Sequence, residues 1–225
     1  MHSVTVPDSV RSTIADRRGR LRAHERSNPA TTALLVVDMQ NHFVADGGLS
    51  RVATAEGIID NINRLAAAMR TAGGTVVWIY STFTHDGRAA WRMFFGNFIS
   101  PEREREVRSG LLEGSWGHRF HADLAIDPVD PTVSKDRFSP FASGASTLHD
   151  TLERRGIDTV LVAGTMTNVC CDSTARDAMM LDYRATLIDD ANAAHTDDAH
   201  VAALTTFATV FGDVISTDDA IAELA

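Results

Sequence analysis

Short apolar runs that alternate with helix-forming segments constrain the fold of this chain more than any other feature. Residues 33–38 (ALLVVD) and 158–164 (DTVLVAG) are almost continuously apolar, which is typical of strands buried on both faces of a sheet. Residues 55–72 follow the first run, and their apolar side chains recur at the spacing of one helix face. Strands that alternate with helices in this way predict a parallel sheet with helices on both faces.

The rest of the chain continues this alternation. We predict strands at residues 33–38, 75–81, 132–135, 158–164, 184–189 and 213–216. We predict helices at residues 9–23, 55–72, 144–155, 170–181 and 197–211, with a short helix at the C-terminus. Residues 82–130 show no regular period and are expected to pass over the sheet as an irregular segment. The predicted α/β architecture is a three-layer α/β/α sandwich with a mainly parallel sheet of about six strands, similar to a Rossmann fold. An N-terminal arm at residues 1–29 would precede a single domain at residues 30–225.

Charge and cysteine content exclude several classes of partner. The 225 residues include 21 basic and 30 acidic side chains, and an acidic chain is a poor partner for nucleic acid because phosphate contacts need clustered Lys and Arg. No apolar run has the length of a membrane span, and the polar N-terminus lacks the apolar core of a secretion signal. Cys170 and Cys171 are adjacent, a spacing that rarely forms a disulfide. We therefore expect a cytoplasmic protein with no nucleic-acid or membrane partner.

Sequence motifs for common cofactors and for a serine nucleophile are missing from the sequence. There is no G-x-G-x-x-G, no P-loop and no serine nucleophile elbow. His118 and His121 form an isolated H-x-x-H, a pattern more typical of surface histidines than of metal ligands. His195 and His200 flank the start of a predicted helix, where we expect solvent exposure or local capping. The sequence thus predicts neither a cofactor nor a metal.

Reactive side chains stand where three of the predicted strands end, namely Asp38, Lys135 and, in the turn after residues 158–164, Cys170. Open α/β sheets bind ligands beyond the carboxyl ends of their strands. The start of a helix should lower the pKa of the Cys170 thiol, whereas Cys171 points about 100° further round the helix and should pack in the core. A lysine beside a carboxylate and a thiol stabilises both negative charges, and the carboxylate can then move protons. Each residue also has a purely structural explanation: a buried inert thiol, a turn aspartate and a surface ion pair.

Three ordered motifs resemble those of the isochorismatase-like cysteine hydrolase family. Residues 35–43 (LVVDMQNHF) resemble the D-x-Q-x-x-F opening of that family, and residues 134–139 (SKDRFS) resemble its second motif. Residues 167–178 (TNVCCDSTARDA) resemble the third motif, and residues 211–217 (FGDVIST) resemble the usual ending. The resemblance covers residues 33–224, nearly the whole chain, and specifies the family much more closely than the substrate.

The resemblance implies a role for each matching residue. Cys170 corresponds to the nucleophile, Asp38 to the acid/base and Lys135 to the third member of a catalytic triad. It also implies a cis peptide between Thr165 and Met166, with the backbone N–H groups of Met166 and Cys170 forming an oxyanion hole. Members of the family assemble as dimers or larger particles, which implies a homodimer or homotetramer here.

The family also restricts the chemistry. Members with the cysteine cleave C–N bonds of nicotinamide, N-carbamoylsarcosine, ureidoacrylate, biuret or the lactam of streptothricin, whereas those that hydrolyse isochorismate lack it. Cys170 therefore implies an amidohydrolase acting on a small amide, ureide or lactam, and the D-x-H metal motif of nicotinamidases is missing after residues 75–81. We expect Phe43, Tyr80 and Phe138 to shape the substrate pocket, although core packing is the simpler explanation for most aromatic side chains. A vinyl-ether hydrolase, and a non-catalytic binding or assembly module, are the alternatives.

Overall fold

A six-stranded sheet lies at the centre of the molecule. The computed structural model describes residues 1–24, 27–84 and 91–224. The strands are β1 (Thr32–Val37), β2 (Thr75–Ser81), β3 (Thr132–Lys135), β4 (Thr159–Thr165), β5 (Arg184–Ala193) and β6 (Asp213–Ile215). Their order is β3-β2-β1-β4-β5-β6, and every neighbouring pair is parallel. The predicted parallel sheet is confirmed.

Helices cover both faces of this sheet and complete the three layers. They are α1 (Asp8–Arg18), α2 (Ile59–Thr71), α3 (Arg92–Asn97), α4 (Pro101–Gly110), α5 (Leu148–Glu153), α6 (Asp172–Met180), α7 (Asp197–Val210) and α8 (Thr217–Leu224). One face packs against α2 and α8, and the other packs against α1, α5, α6 and α7. The predicted three-layer α/β/α sandwich is therefore also confirmed.

Strand β1 shows why its sequence is apolar throughout. Successive side chains of a strand point to opposite faces, and here each face meets a helix layer. Leu35 and Val37 belong to the core on one side, Leu34 and Val36 to the core on the other, and all four are fully buried. A polar side chain at any of these positions would lose its hydration without gaining a partner.

The described part of the segment predicted to be irregular contains two helices, so that prediction was wrong for part of its length. Helix α4 starts with Pro101, and the Ser100 hydroxyl accepts a hydrogen bond from the Arg103 N–H. Both are ordinary features of a helix N-terminus. Most of its remaining side chains are charged, so the helix lacks the apolar stripe by which a helix is recognised in a sequence.

Several predicted helix boundaries also differ from the structure. Helix α1 ends at Arg18, because Gly19 takes the left-handed conformation (φ 72°) and terminates it. Helix α5 begins only at Leu148. The helix predicted from residue 170 starts earlier, with a π-helical turn at Thr167–Cys171 that leads into α6.

The N-terminal segment packs on the domain rather than extending from it. Val6 and Ile14 are buried in the core on the α1 side of the sheet. Arg18 and Arg22 both form ion pairs with the buried Asp213 of β6, at 3.7 and 3.1 Å. Within the described residues, no helix combines the length and the apolar character needed to cross a membrane.

Candidate active site

The ends of neighbouring strands bring together the three residues singled out in the sequence. Asp38 directly follows β1, Lys135 is the last residue of β3, and Cys170 lies in the π-helical turn after β4. Strand β1 pairs with both β2 and β4, and β2 pairs with β3, so the carboxyl ends of all four strands meet at one edge of the sheet. Asp38 adopts φ 53°, a left-handed conformation that Asp tolerates better than most residues.

Lys135 is at the centre of the hydrogen bonds in this site. Its Nζ atom donates to Asp38 Oδ2 at 2.7 Å and to Ser81 Oγ at 2.9 Å. It also donates to the Arg137 carbonyl at 3.1 Å and lies 3.7 Å from Cys170 Sγ. Lys135 is the single lysine in the chain and is only 2% exposed. An ammonium buried this deeply needs the partners that surround it.

Ser81 belongs to the site although sequence reasoning gave it no role. Its hydroxyl donates to Asp38 Oδ1 at 3.0 Å while accepting from Lys135. The fully buried Gln40 fixes the backbone here, because its side-chain amide donates to the Ser81 carbonyl and accepts from the Ser81 N–H. The position of Ser81 at the end of β2, beside two other reactive strand ends, was the available signal.

The pKa values of two groups in the site are raised, but for different physical reasons. Burial alone would lower the pKa of Lys135, but the adjacent Asp38 and Cys170 raise it above its ordinary value. Burial raises the pKa of the Cys170 thiol well above its usual range; Lys135 opposes this effect, and Asp38, which is hydrogen-bonded to the thiol, adds to it. The sequence-based expectation of a lowered cysteine pKa was therefore wrong, because desolvation outweighs the helix terminus and the ammonium.

The thiol faces a cavity of about 290 Å³. Its lining residues are Asp38, His42, Phe43, Ser50, Ser81, Phe83, Trp91, Phe94, Ile99, Arg103, Val107, Leu111, Arg137, Phe138, Thr165, Met166, Val169, Cys170 and His195. The set includes both residues whose N–H groups were expected to form an oxyanion hole, and the Thr165–Met166 peptide bond is cis.

Phe43 and Phe138 line this cavity, but Tyr80 does not. Ser81 points into the site, so the preceding residue of β2 must point to the opposite face. The ring of Tyr80 packs there against His118 and Phe120, at centroid distances of 5.2 and 5.6 Å. The structure therefore corrects the expectation that Tyr80 contacts substrate.

His42 is a cavity residue that sequence reasoning passed over. It is 1% exposed, and neither ring nitrogen has a hydrogen-bond partner among the residues that the structure describes. Burial, assisted by the positive charge of Arg103, lowers its pKa to about 4, so the imidazole is neutral at physiological pH. The ring lies directly against Gly110, where an added Cβ would approach Nδ1 to 2.3 Å.

His195 is exposed, as expected, and lines the same cavity, whereas His118, His200 and Cys171 lie outside it. His200 is fully buried, with its ring stacked on His2 at 4.2 Å and its Nδ1 atom 2.8 Å from Thr167 Oγ1, so the expected solvent exposure was wrong. Cys171 is fully buried in the core, as predicted from its direction on the helix. No cluster of three metal-binding side chains occurs in the described parts of the chain, and His118 instead lies 2.8 Å from Thr82 Oγ1.

Comparison with known proteins agrees with this geometry. The profile of the Isochorismatase domain matches residues 32–219. The chain belongs to the isochorismatase family. It is 36% identical over 212 residues to the ureidoacrylate amidohydrolase RutB of Variovorax paradoxus, a match covering 86% of this chain and 81% of that protein.

Solved structures of this family share the fold. A cysteine hydrolase from Pseudomonas syringae pv. phaseolicola superposes with a TM-score of 0.82 at 30% identity, covering 90% of this chain and 96% of the other. N-carbamoylsarcosine amidase from Thermoplasma acidophilum superposes with a TM-score of 0.67 at 25% identity, covering 84% and 97%. The family assignment made from the three motifs is confirmed.

Proposed function

We propose that this chain is an amidohydrolase that cleaves a C–N bond of a small amide, ureide or lactam, with Cys170 as its nucleophile. The observation that carries the proposal is the contact of one cavity-facing thiol with both a carboxylate and an ammonium. A nucleophile next to a proton acceptor, which is itself held by a third group, is the arrangement used in covalent hydrolysis. The names of the relatives, a ureidoacrylate amidohydrolase and an N-carbamoylsarcosine amidase, support the same bond type.

Acylation starts from the neutral thiol, because burial disfavours a preformed thiolate. Asp38 takes the thiol proton as sulfur attacks the substrate carbonyl carbon. The backbone N–H groups of Met166 and Cys170 stabilise the oxyanion that develops on the former carbonyl oxygen. Asp38 then donates the same proton to the leaving nitrogen, the C–N bond breaks, and ammonia or an amine leaves a thioester on Cys170.

Deacylation reverses the proton path with water as the nucleophile. Asp38 takes a proton from water, hydroxide attacks the thioester carbon, and the acid product is released. The proton returns to sulfur, which restores the Cys170 thiol. Lys135 remains charged throughout and stabilises the site in each state in which Asp38 or the sulfur is negative.

Two alternatives make different predictions about the thiol. A vinyl-ether hydrolase would release pyruvate from isochorismate and would have no need for a nucleophile at position 170. A non-catalytic binding module would have no need for the contacts among Asp38, Lys135 and Cys170, which keep charged groups buried at a cost in desolvation. Both alternatives leave these contacts unexplained.

The decisive experiment measures ammonia release from a panel of amides, ureides and lactams, together with the intact mass of the enzyme during turnover. We expect Cys170→Ala to abolish both ammonia release and the acyl adduct. The matched control is Cys171→Ala, which removes the neighbouring thiol and should keep most of the activity. Pyruvate release from isochorismate, or equal loss of activity in the two variants, would contradict the proposal.

Assembly and location extend the proposal. We propose that the chain forms a homodimer or homotetramer, because members of the family that the motifs indicate assemble as dimers or larger particles. A reducing cytoplasm suits a protein whose two cysteines are both free and buried. The proposed partners are therefore a small-molecule substrate and further copies of the chain.

A further inference from the structure

The cavity beside Cys170 has an aromatic wall, formed by Trp91, Phe94 and Phe138. The ring of Trp91 lies 4.7 Å from that of Phe94 and 4.7 Å from that of Phe138, and the latter two are 5.4 Å apart. All three side chains are only half-buried, so each ring still presents surface to the cavity. Aromatic groups arranged in this way bind apolar rings, through both area burial and ring-to-ring contact.

Further apolar side chains continue the aromatic wall around the cavity. They are Phe43, Phe83, Ile99, Val107 and Leu111. Phe138 lines the same cavity as Asp38 and Cys170, so the aromatic wall lies beside the reacting groups. A substrate held at Cys170 would therefore place its non-reacting part against this wall.

The positive charges around the cavity already have protein partners. Arg103 Nη1 lies 2.8 Å from Glu106 Oε2 and its Nη2 donates to Ser50 Oγ. Arg137 Nη1 lies 3.0 Å from Asp136 Oδ1, and its guanidinium lies 5.2 Å from the Trp91 ring centroid. His42 is neutral because burial lowers its pKa to about 4. A substrate carboxylate in this cavity would thus compete with protein carboxylates for both arginines.

We propose that the substrate carries an uncharged, apolar group about the size of one ring, which packs against the aromatic wall while its amide or ureido carbonyl lies at Cys170. This inference rests on the proposed function and adds the substrate class to it. Ureidoacrylate, named for the relative from Variovorax paradoxus, carries a carboxylate instead. A cavity of about 290 Å³ is at the small end for ligand sites, which favours a single ring.

Binding to the Cys170→Ala variant tests the substrate class without requiring turnover. The two probes are phenylpropanamide and succinamate, which share the amide and the two-carbon chain and differ only in a phenyl ring against a carboxylate. By calorimetry we expect phenylpropanamide to bind at least about tenfold more tightly, since the ring buries apolar area against the wall. Equal binding, tighter binding of succinamate, or no measurable binding of phenylpropanamide would overturn the proposal.

A pair of matched variants tests whether the preference for phenylpropanamide comes from the aromatic wall. In the Cys170→Ala background, Phe94→Ala should remove most of the preference for phenylpropanamide, whereas Phe211→Ala should keep it. Phe211 is a half-buried phenylalanine of similar setting that packs on Phe207, outside the cavity. Unchanged preference in Phe94→Ala would overturn the proposal. If that variant fails to fold, Phe138→Leu, which keeps bulk and removes a ring, supplies the same test.

Ammonia release by the unmodified enzyme is measured separately, so the two claims can fail independently. Release from neither probe nor from any other amide would refute the proposed function and leave the binding comparison to decide the substrate class. Release that favours succinamate over phenylpropanamide would refute the substrate class and leave the amidohydrolase assignment intact.

Discussion

Replacing Lys135 by methionine removes a positive charge that faces both Asp38 and Cys170 while keeping a side chain of similar length. Two unit charges separated by the 3.7 Å between Lys135 Nζ and Cys170 Sγ interact by about 4 kcal/mol at an effective dielectric constant of about 20. That energy corresponds to about a thousandfold change in the equilibrium between thiol and thiolate. We therefore expect the pKa of Cys170 to rise further, because the cation that opposes the effect of burial is gone.

Alkylation of the thiol by iodoacetamide reports this change, because its rate at a given pH follows the population of the thiolate. Rates are followed across pH in a Cys171→Ala background, with and without Lys135→Met, and the alkylated position is read by peptide mass spectrometry. The loss of a cation destabilises the thiolate, so the reactive form should appear at higher pH in the variant, and acylation by substrate should slow by orders of magnitude.

Thermal unfolding and circular dichroism of both proteins establish that the fold is retained. This control matters because breaking one side of a buried ion pair typically costs about 3–5 kcal/mol of stability. If a folded Lys135→Met protein alkylates with the same pH profile as its parent, Lys135 does not act on the thiol, and the electrostatic part of the mechanism is refuted.

Three further predictions concern stability, metal and size. His42 and His200 each have a pKa lowered to about 4 by burial, below the value of 6.5 in an unfolded chain, so their contribution to stability is present above pH 6.5 and lost as the pH falls through 4. Each histidine should account for up to about 3 kcal/mol of the free energy of unfolding that is lost in acid. Urea unfolding at several pH values should show a smaller loss of this free energy in His200→Gln than in the unmodified protein, and an equal loss would contradict the prediction. Activity should survive EDTA, and activity that disappears with the chelator and returns with added zinc or iron would reverse the metal-free assignment. Light scattering should find particles larger than the 24.4 kDa chain, and particles of that mass alone at micromolar concentration would refute the predicted assembly.

The sheet could be predicted from the sequence because its strands are buried on both faces. Such strands leave an apolar run that no solvent-exposed element would carry, and β2 and β3 were predicted with the bounds that the structure shows. Helix α4 could not be found in this way. Its sequence is mostly charged, and its helical structure depends on a capping serine and a proline at the first position rather than on an apolar stripe.

Asp38, Lys135 and Cys170 could be predicted as one site because all three stand at strand ends, which a parallel sheet gathers at one edge. Properties that depend on how deeply a side chain is buried could not be predicted from the sequence. The raised pKa of Cys170 and the burial of His200 both follow from neighbours distant in sequence, such as Asp38 for the thiol and His2 for the imidazole. The position of Tyr80 was predicted wrongly because strand register decides which face of the sheet a side chain points to, and composition does not reveal the register.

Strand β6 is the last strand of the sheet, yet all three of its residues are buried. Asp213 accepts hydrogen bonds from the backbone of Ala23 and His24, which holds the segment after α1 against this edge. Uncovered strand edges pair readily with other chains, and proteins avoid this by covering them. A chain shortened to residues 30–225 would lose the cover, so we expect it to aggregate through β6 instead of folding as an independent domain.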